Sequence, residues 1–239
     1  DVQCTDLNDD GYMDVIATGR TSDKVIWYSN DGTQTFTENI LDDAVNGAVG
    51  FFISDLDEDG DKDLIIAELD GNKVVWLSND GSESFTKTTI STITRARDVI
   101  AVDIDGDGDI DIVASGDGSA GNEVVWYEND GSENFTVNAI ESSIGSANHL
   151  QVVDLDGDND KDVIVTSYQD DDVLWYVNDG SQSFTKSYIE NNINGASYVK
   201  VDDMDGDGDL DVVASGQIAD DVIFYTNSDS GYVLDISLS

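Results

Sequence analysis

The sequence predicts an all-β protein: a β-propeller of five four-stranded antiparallel blades, forming a single domain over residues 1–239. Three observations predict it. A nine-residue Asp-rich block occurs five times, its starts separated by 49, 48, 51 and 49 residues. Each block is followed by a short β-branched apolar run and then by an aromatic-centred strand ending in a turn signal. No segment shows the 3.6-residue periodicity that a helical repeat requires.

The units fall at approximately 1–45, 46–93, 94–144, 145–193 and 194–239, with no leftover domain. Each opens with a short extended segment, as in Val99–Val102 or Tyr198–Val201. The block comes next, and after it a second strand: Val15–Ala17, Leu64–Ala67, Ile112–Ala114, Val163–Val165 or Val212–Ala214. Runs this short and apolar on both faces suit a strand covered on both sides. The third strand carries Trp27, Trp76, Trp126 or Trp175, with Phe224 in the fifth copy. It ends in Asn-Asp-Gly at Asn30, Asn79, Asn129 and Asn178, a hairpin signal because Asn and Gly tolerate positive φ. The fourth strand opens with Phe36, Phe85, Phe135 or Phe184, nine residues after each Trp. One unit alone leaves its Trp and Phe half exposed, so the blades are expected to pack face to face with the Trp series between them. The fifth copy departs, with Asn227–Gly231 in the turn and Val233 in place of Phe. A ring closed by the five blades is favoured over a segment of a longer array.

Composition narrows the function. Fifty-two acidic residues against 10 basic ones set the net charge at −42, and 43 of the acids are Asp. That charge excludes binding to nucleic acid and to anionic membrane surfaces, because phosphate would be repelled. No apolar run reaches the length of a membrane span, so no membrane insertion is expected. Asp1-Val2-Gln3 does not read as a signal peptide, and the chain is read as a trimmed or mature form. The one cysteine, Cys4, can form no internal disulfide and aligns with Ile53, Ala101, Val152 and Val201, so it reads as a small buried hydrophobe. Hydrophobic residues make up 39%, enough for a core.

The blocks hold 25 of the 52 acids. Like charges packed into a folded loop cost stability unless a cation sits among them. Positions 1, 3, 5 and 9 carry a side-chain oxygen: Asp6, Asn8, Asp10 and Asp14; Asp55, Asp57, Asp59 and Asp63; Asp103, Asp105, Asp107 and Asp111; Asp154, Asp156, Asp158 and Asp162; Asp203, Asp205, Asp207 and Asp211. Position 6 is Gly11, Gly60, Gly108 and Gly208, with Asn159 once, the residues that most readily take a left-handed conformation. Position 7 varies (Tyr12, Asp61, Asp109, Asp160, Asp209), which suits a backbone carbonyl ligand. Hard oxygen donors in a flexible loop select Ca²⁺, up to five ions at one per blade. Zinc is disfavoured by the single His and single Cys. The loop is not an EF-hand, since Ala17 and Ile66 stand where the bidentate Glu belongs.

The pattern Asp-x-Asp-x-Asp-Gly-x-x-Asp, followed by an apolar strand and Trp-Tyr-x-Asn-Asp-Gly, resembles the FG-GAP/VCBS propeller repeats, related to the calcium-binding blades of integrin α-subunits. The segment 125–136 is similar to secreted repeat proteins of marine Bacteroidetes. The resemblance covers essentially the whole chain. It implies calcium in the loop between the first and second strands of each blade, at the block positions named above, and a secreted or cell-surface life. The first copy departs most, with Asn8 and Tyr12. The family includes adhesins, lectins and accessory modules of polysaccharide-degrading enzymes, so it implies no single activity. Related propellers commonly have seven blades.

Outside the blocks, His149 is the only histidine and aligns with Gly50, Asp98 and Tyr198. It reads as a strand-edge residue; with Arg95, Arg97 and Tyr198 it could form a lyase-like set near the axis, which the acidic charge argues against. No catalytic triad, phosphate loop or catalytic carboxylate pair stands out. The expected function is therefore a calcium-stabilised, non-catalytic binding or adhesion module. Its partner would be a glycan or an extracellular protein, met by the variable segments Asp42–Val49, Ser91–Asp98, Glu141–His149 and Glu190–Tyr198. Two alternatives stand beside it: a spacer or self-assembling surface element without a ligand, and an accessory domain of a polysaccharide-degrading enzyme. Neighbouring blades or domains of a longer chain are further candidate partners.

Overall fold

A computed structural model describes residues 1–117, 123–218 and 220–227, and the backbone of 233–238. Blade 1 is β1 (Val2–Thr5), β2 (Asp14–Gly19), β3 (Lys24–Asn30) and β4 (Phe36–Asp42). Blade 2 is β5 (Ala48–Ser54), β6 (Asp63–Glu68), β7 (Lys73–Asn79) and β8 (Phe85–Thr92). Blade 3 is β9 (Ala96–Val102), β10 (Asp111–Gly116), β11 (Val124–Asn129) and β12 (Phe135–Glu141). Blade 4 is β13 (Ala147–Val153), β14 (Asp162–Ser167), β15 (Asp172–Asn178) and β16 (Phe184–Glu190). Blade 5 is β17 (Ala196–Asp202), β18 (Asp211–Gly216), β19 (Asp221–Thr226) and β20 (Val233–Leu238). Each blade is a separate antiparallel four-stranded sheet in sequence order. The turn expected at Asn227–Gly231 lies, beyond Asn227, outside the described residues. No helix among the described residues is long and apolar enough to cross a membrane.

The first strands lie side by side at the centre, β5 against β9, β9 against β13 and β13 against β17. The second strands of the middle blades are covered on both faces, which is why every residue of Asp63–Glu68 and of Asp162–Ser167 is buried. Hydrophobic cores join neighbouring blades. Trp27, Ile16 and Val25 pack on Phe51, Leu64 and Leu77 of the next blade, and Trp76 packs on Val99, Ile112 and Tyr127. Trp126 meets Leu150 and Tyr176, and Trp175 meets Val199 and Tyr225. Each aromatic of this kind removes on the order of 150–250 Å² from water, which makes the Trp series the main adhesive between sheets.

The structure corrects two expectations. Four inter-blade cores form among the described residues, and none joins the fifth blade to the first. Among the described residues the five blades form an open arc rather than a closed ring. In β2 only alternate residues are buried, the set facing blade 2, whereas Val15 and Ala17 on the other face stay half-buried. Val2 is 61% exposed at one end of the arc and Val222 is 43% exposed at the other. Cys4 is exposed, not a buried hydrophobe. Its equivalents Ile53, Ala101, Val152 and Val201 all pack against the preceding blade, and no blade precedes the first.

Candidate metal centres

Each Asp block connects the first strand of a blade to the second, so the loops lie together at one end of the arc. The loop is closed by its own aspartates. The position-1 carboxylate accepts backbone N–H bonds from across the turn: Asp6 from Asp10 and Gly11 at 3.0 and 2.8 Å, Asp154 from Gly157 and Asn159 at 2.8 and 2.9 Å, Asp203 from Gly206 and Gly208 at 2.8 and 3.1 Å. Position 6 is left-handed throughout, φ +92 at Gly11 and +80 at Asn159, as the sequence predicts. Position 4 is left-handed as well, at Asp9, Glu58, Gly106, Gly157 and Gly206, which the mixed residue types there concealed.

Position 9 does more than offer an oxygen. Asp14, Asp63, Asp111, Asp162 and Asp211 are fully buried. One oxygen of each accepts the N–H of position 2: Leu7, Leu56, Ile104, Leu155 and Met204, at 3.1, 3.0, 3.2, 3.2 and 2.9 Å. The other accepts the N–H of the asparagine ending the third strand: Asn30, Asn79, Asn129, Asn178 and Asn227, at 2.7, 2.8, 2.8, 2.8 and 3.0 Å. That asparagine in turn clips the block, its side-chain amide donating to the carbonyl of Met13, Lys62, Ile110 or Lys161. The Asn-Asp-Gly motif is therefore a lock on the Asp block as well as a hairpin. Its glycine, at φ +71 in Gly81 and Gly131, leaves the space that the position-7 side chains of Asp61 and Asp109 occupy, and Gly32 does the same for the ring of Tyr12.

Carboxylate oxygens converge to within 4.8 Å of one another in four blocks: Asp55, Asp57 and Asp63; Asp103, Asp105 and Asp111; Asp154, Asp156 and Asp158; Asp203, Asp205 and Asp211. In the first block the amide of Asn8 takes the place of one carboxylate between Asp6 and Asp14. Asp10, Asp59, Asp107, Asp158 and Asp207, at position 5, each accept the N–H of position 7 at 2.9 Å. The electrostatics are those of a cluster that could hold a cation. Burial pushes the carboxyls of Asp63, Asp111 and Asp162 up to about 6 against the pull of their N–H donors. Burial, reinforced by neighbouring carboxylates, also raises Asp57, Asp105 and Asp156. Asn8 Oδ1 and Asp55 Oδ1 are buried without a hydrogen-bond partner. All-oxygen donors with partnerless atoms inside the cluster fit a hard divalent ion.

The lyase-like set is brought together only in part. His149 and Tyr198 touch, their ring centroids 3.8 Å apart. Arg97 is held by Asp117, which also pairs with Arg95 at 3.5 Å and accepts the hydroxyl of Ser146. The two guanidiniums are thus occupied by a carboxylate of their own blade. Asp98, which the sequence presents only as the counterpart of His149, sits 3.8 Å from the His149 Nε2.

The FG-GAP-like repeat profile matches residues 6–66, 55–114, 103–165 and 154–214. No curated protein matches the chain. Among solved structures, a lectin of Agrocybe aegerita, described for its recognition of non-reducing terminal N-acetylglucosamine, is 19% identical with a TM-score of 0.63, covering 100% of this chain and 65% of that one. A proposed 6-phosphogluconolactonase of Bacteroides uniformis is 9% identical with a TM-score of 0.65, over 98% of this chain and 68% of that one. An auxiliary nutrient-binding protein of Bacteroides thetaiotaomicron is 10% identical with a TM-score of 0.61, over 92% and 53%. At these identities the likeness is one of fold, and this chain spans 65% of the lectin's length.

Proposed function

We propose that this chain, which belongs to the FG-GAP-like repeat family, is a calcium-stabilised, non-catalytic binding module that recognises a glycan or a protein outside the cell. The observation that carries the calcium half of this reading is the convergence of carboxylates in successive blades together with the partnerless Asp55 Oδ1. Positions 1, 3, 5 and 9 of each block would hold the ion. Position 7 would serve through its backbone carbonyl, since the side chains of Tyr12, Asp61 and Asp109 rest on the turn glycine instead. Bound calcium supplies positive charge among the carboxylates. The residues do the rest: position 1 closes the loop on itself, and position 9 ties it to the third strand. Five such ties would stiffen a chain that has no disulfide, and five ions would bring the net charge from −42 to about −32.

The binding half is supported by the fold of the lectin and nutrient-binding neighbours and by the face opposite the calcium loops, where the variable inter-blade segments meet. A secreted or cell-surface location is supported by the calcium reading, because sites of the affinity usual in extracellular modules, about 10⁻⁴–10⁻³ M, fill only where calcium is abundant. The test is a glycan-binding screen in millimolar Ca²⁺, repeated after chelation. Binding that appears only with calcium supports the reading; silence in both conditions from a folded chain removes its glycan arm. A second reading, a self-assembling structural element, is favoured by one observation: Val2 of blade 1 and Val222 of blade 5 are exposed at the two ends of the arc.

A further inference from the structure

The first strands surround a cavity of about 580 Å³ at the axis, lined from all five blades. It belongs to the early half of each inner strand and so opens away from the calcium loops. Here the repeat stops repeating. The block, the Trp and the turn recur from blade to blade, but one step on the inner strands carries Gly50, Asp98, His149 and Tyr198 in succession. At that step the pairing with the second strand is interrupted, between Ala48 and Gly50, Ala96 and Asp98, Ala147 and Leu150, and Ala196 and Tyr198. Bulges of this kind re-aim side chains beside functional sites.

The lining is rich in acceptors. Asp98 is fixed by the N–H groups of Val99 and Leu150 at 3.0 and 2.9 Å, the second reaching across from the next blade. Gly50 makes the room, since a Cβ there would press on the Arg97 carbonyl and on Asp98. Asn148 Oδ1 and His149 Nδ1 are buried with no hydrogen-bond partner. Leaving buried polar atoms unpaired is costly, so a small side-chain shift that turned them to the cavity would let a ligand's hydroxyl or amide donors pair with them. Tyr198, its ring braced by His149, is 54% exposed and offers an apolar face. The nearby cations are engaged, Arg97 with Asp117 and Lys200 with the Gln151 side chain at 3.3 Å.

From this cavity we infer that the axis of the propeller is a binding site for a neutral saccharide, one or two sugar units in size. The inference rests on the glycan reading above and places it. Sugar hydroxyls donate to Asp98, and to Asn148 and the imidazole once these turn to the cavity, while the C–H face of the ring stacks on Tyr198. The size suits it, because small-ligand sites run from about 300 to 1,000 Å³. Acidic sugars are disfavoured by Asp98 and by the net charge of −42.

The test uses saturation-transfer NMR and calorimetry with the methyl glycosides of glucose, galactose, mannose and N-acetylglucosamine, and with glucuronic acid, in millimolar Ca²⁺, beside a broad glycan array. The expected result is binding of at least one neutral glycoside, weakened tenfold or more by Tyr198→Ala and by Asp98→Asn, with an unchanged circular dichroism spectrum. Tyr198→Ala alters a half-exposed side chain and keeps the test valid if Asp98→Asn proves unstable. Array binding that both folded variants retain at full strength overturns the cavity site while leaving the glycan reading standing. A preference for glucuronic acid overturns the proposed specificity. A folded wild type that binds nothing on the array overturns both.

Discussion

Asp111 and Asn129, 18 residues apart, are joined by a 2.8 Å hydrogen bond from the Asn129 backbone N–H to the Asp111 carboxylate. Its other oxygen takes the N–H of Ile104 at 3.2 Å, so one buried side chain holds the loop, the second strand and the third together. Asp111→Ala strands two buried N–H groups, each costing about 1–3 kcal/mol. Asp105 makes no comparable anchor; it accepts only the N–H of Asp107 at 3.1 Å. Denaturant unfolding is therefore expected to show Asp111→Ala losing roughly 2–4 kcal/mol in chelator and more in calcium, and Asp105→Ala losing stability only in calcium. Equal losses by both variants in chelator would contradict the division of labour between anchor and ligand.

Calcium itself should stabilise the fold by mass action. Extracellular calcium modules bind at about 10⁻⁴–10⁻³ M, so 10 mM ion is expected to add about 1.4–2.7 kcal/mol per occupied site. Differential scanning calorimetry should show the melting temperature rising with calcium and falling on chelation, and native mass spectrometry should count up to five ions. A melting temperature indifferent to chelator would remove calcium from this account.

Cys4 reports on the open end of the arc. It is exposed because its face of blade 1 has no blade against it, whereas the equivalent Val201 is buried against blade 4. A thiol reagent should modify Cys4 in the native chain nearly as fast as in denaturant. Strong native protection would mean that this face is covered in solution, by the fifth blade or by another copy.

The axial cavity should carry an opposed pair of pH effects. Burial, helped by Lys200, lowers His149 from 6.5 to about 4, so its stability contribution is full above 6.5 and is lost as pH falls toward 4. Burial raises Asp98 from 3.8 to about 6, so its contribution is full below 3.8 and is lost as pH rises through 6. Arg97, Asp117, Asp1 and Tyr198 also border this region, and the comparison is therefore made by difference. Relative to His149→Gln, the wild type is expected to gain on the order of 2–3 kcal/mol between pH 4 and 6.5 in chelator. Relative to Asp98→Asn it should lose stability over the same range. The same slope for both differences would show that one of the two groups does not titrate as the cavity geometry requires.

Much was legible in the sequence because the repeat is written in local chemistry. The Asp block dictates its own turn through side-chain-to-backbone bonds a few residues away, and the Asn-Asp-Gly turn and β-branched runs dictate strands at fixed spacing. Five blades, their order and their Asp-rich loops follow from such short-range rules. The second function of Asn129 was visible only as its recurrence, since nothing local shows that its N–H reaches Asp111.

What only the tertiary structure decided depends on the angle between blades. That angle is set by how Trp76 and Tyr127, or Trp126 and Tyr176, fill the space between two sheets, and volume packing is not encoded in any local pattern. It determines that five steps leave Val2 and Val222 uncovered rather than joined, and so that Cys4 is exposed. It also determines that Asp98, His149 and Tyr198, each about fifty residues from the next, meet at one axis. A single sequence presents them as an irregular column in an otherwise regular repeat; the curvature of the arc turns that column into the lining of one cavity.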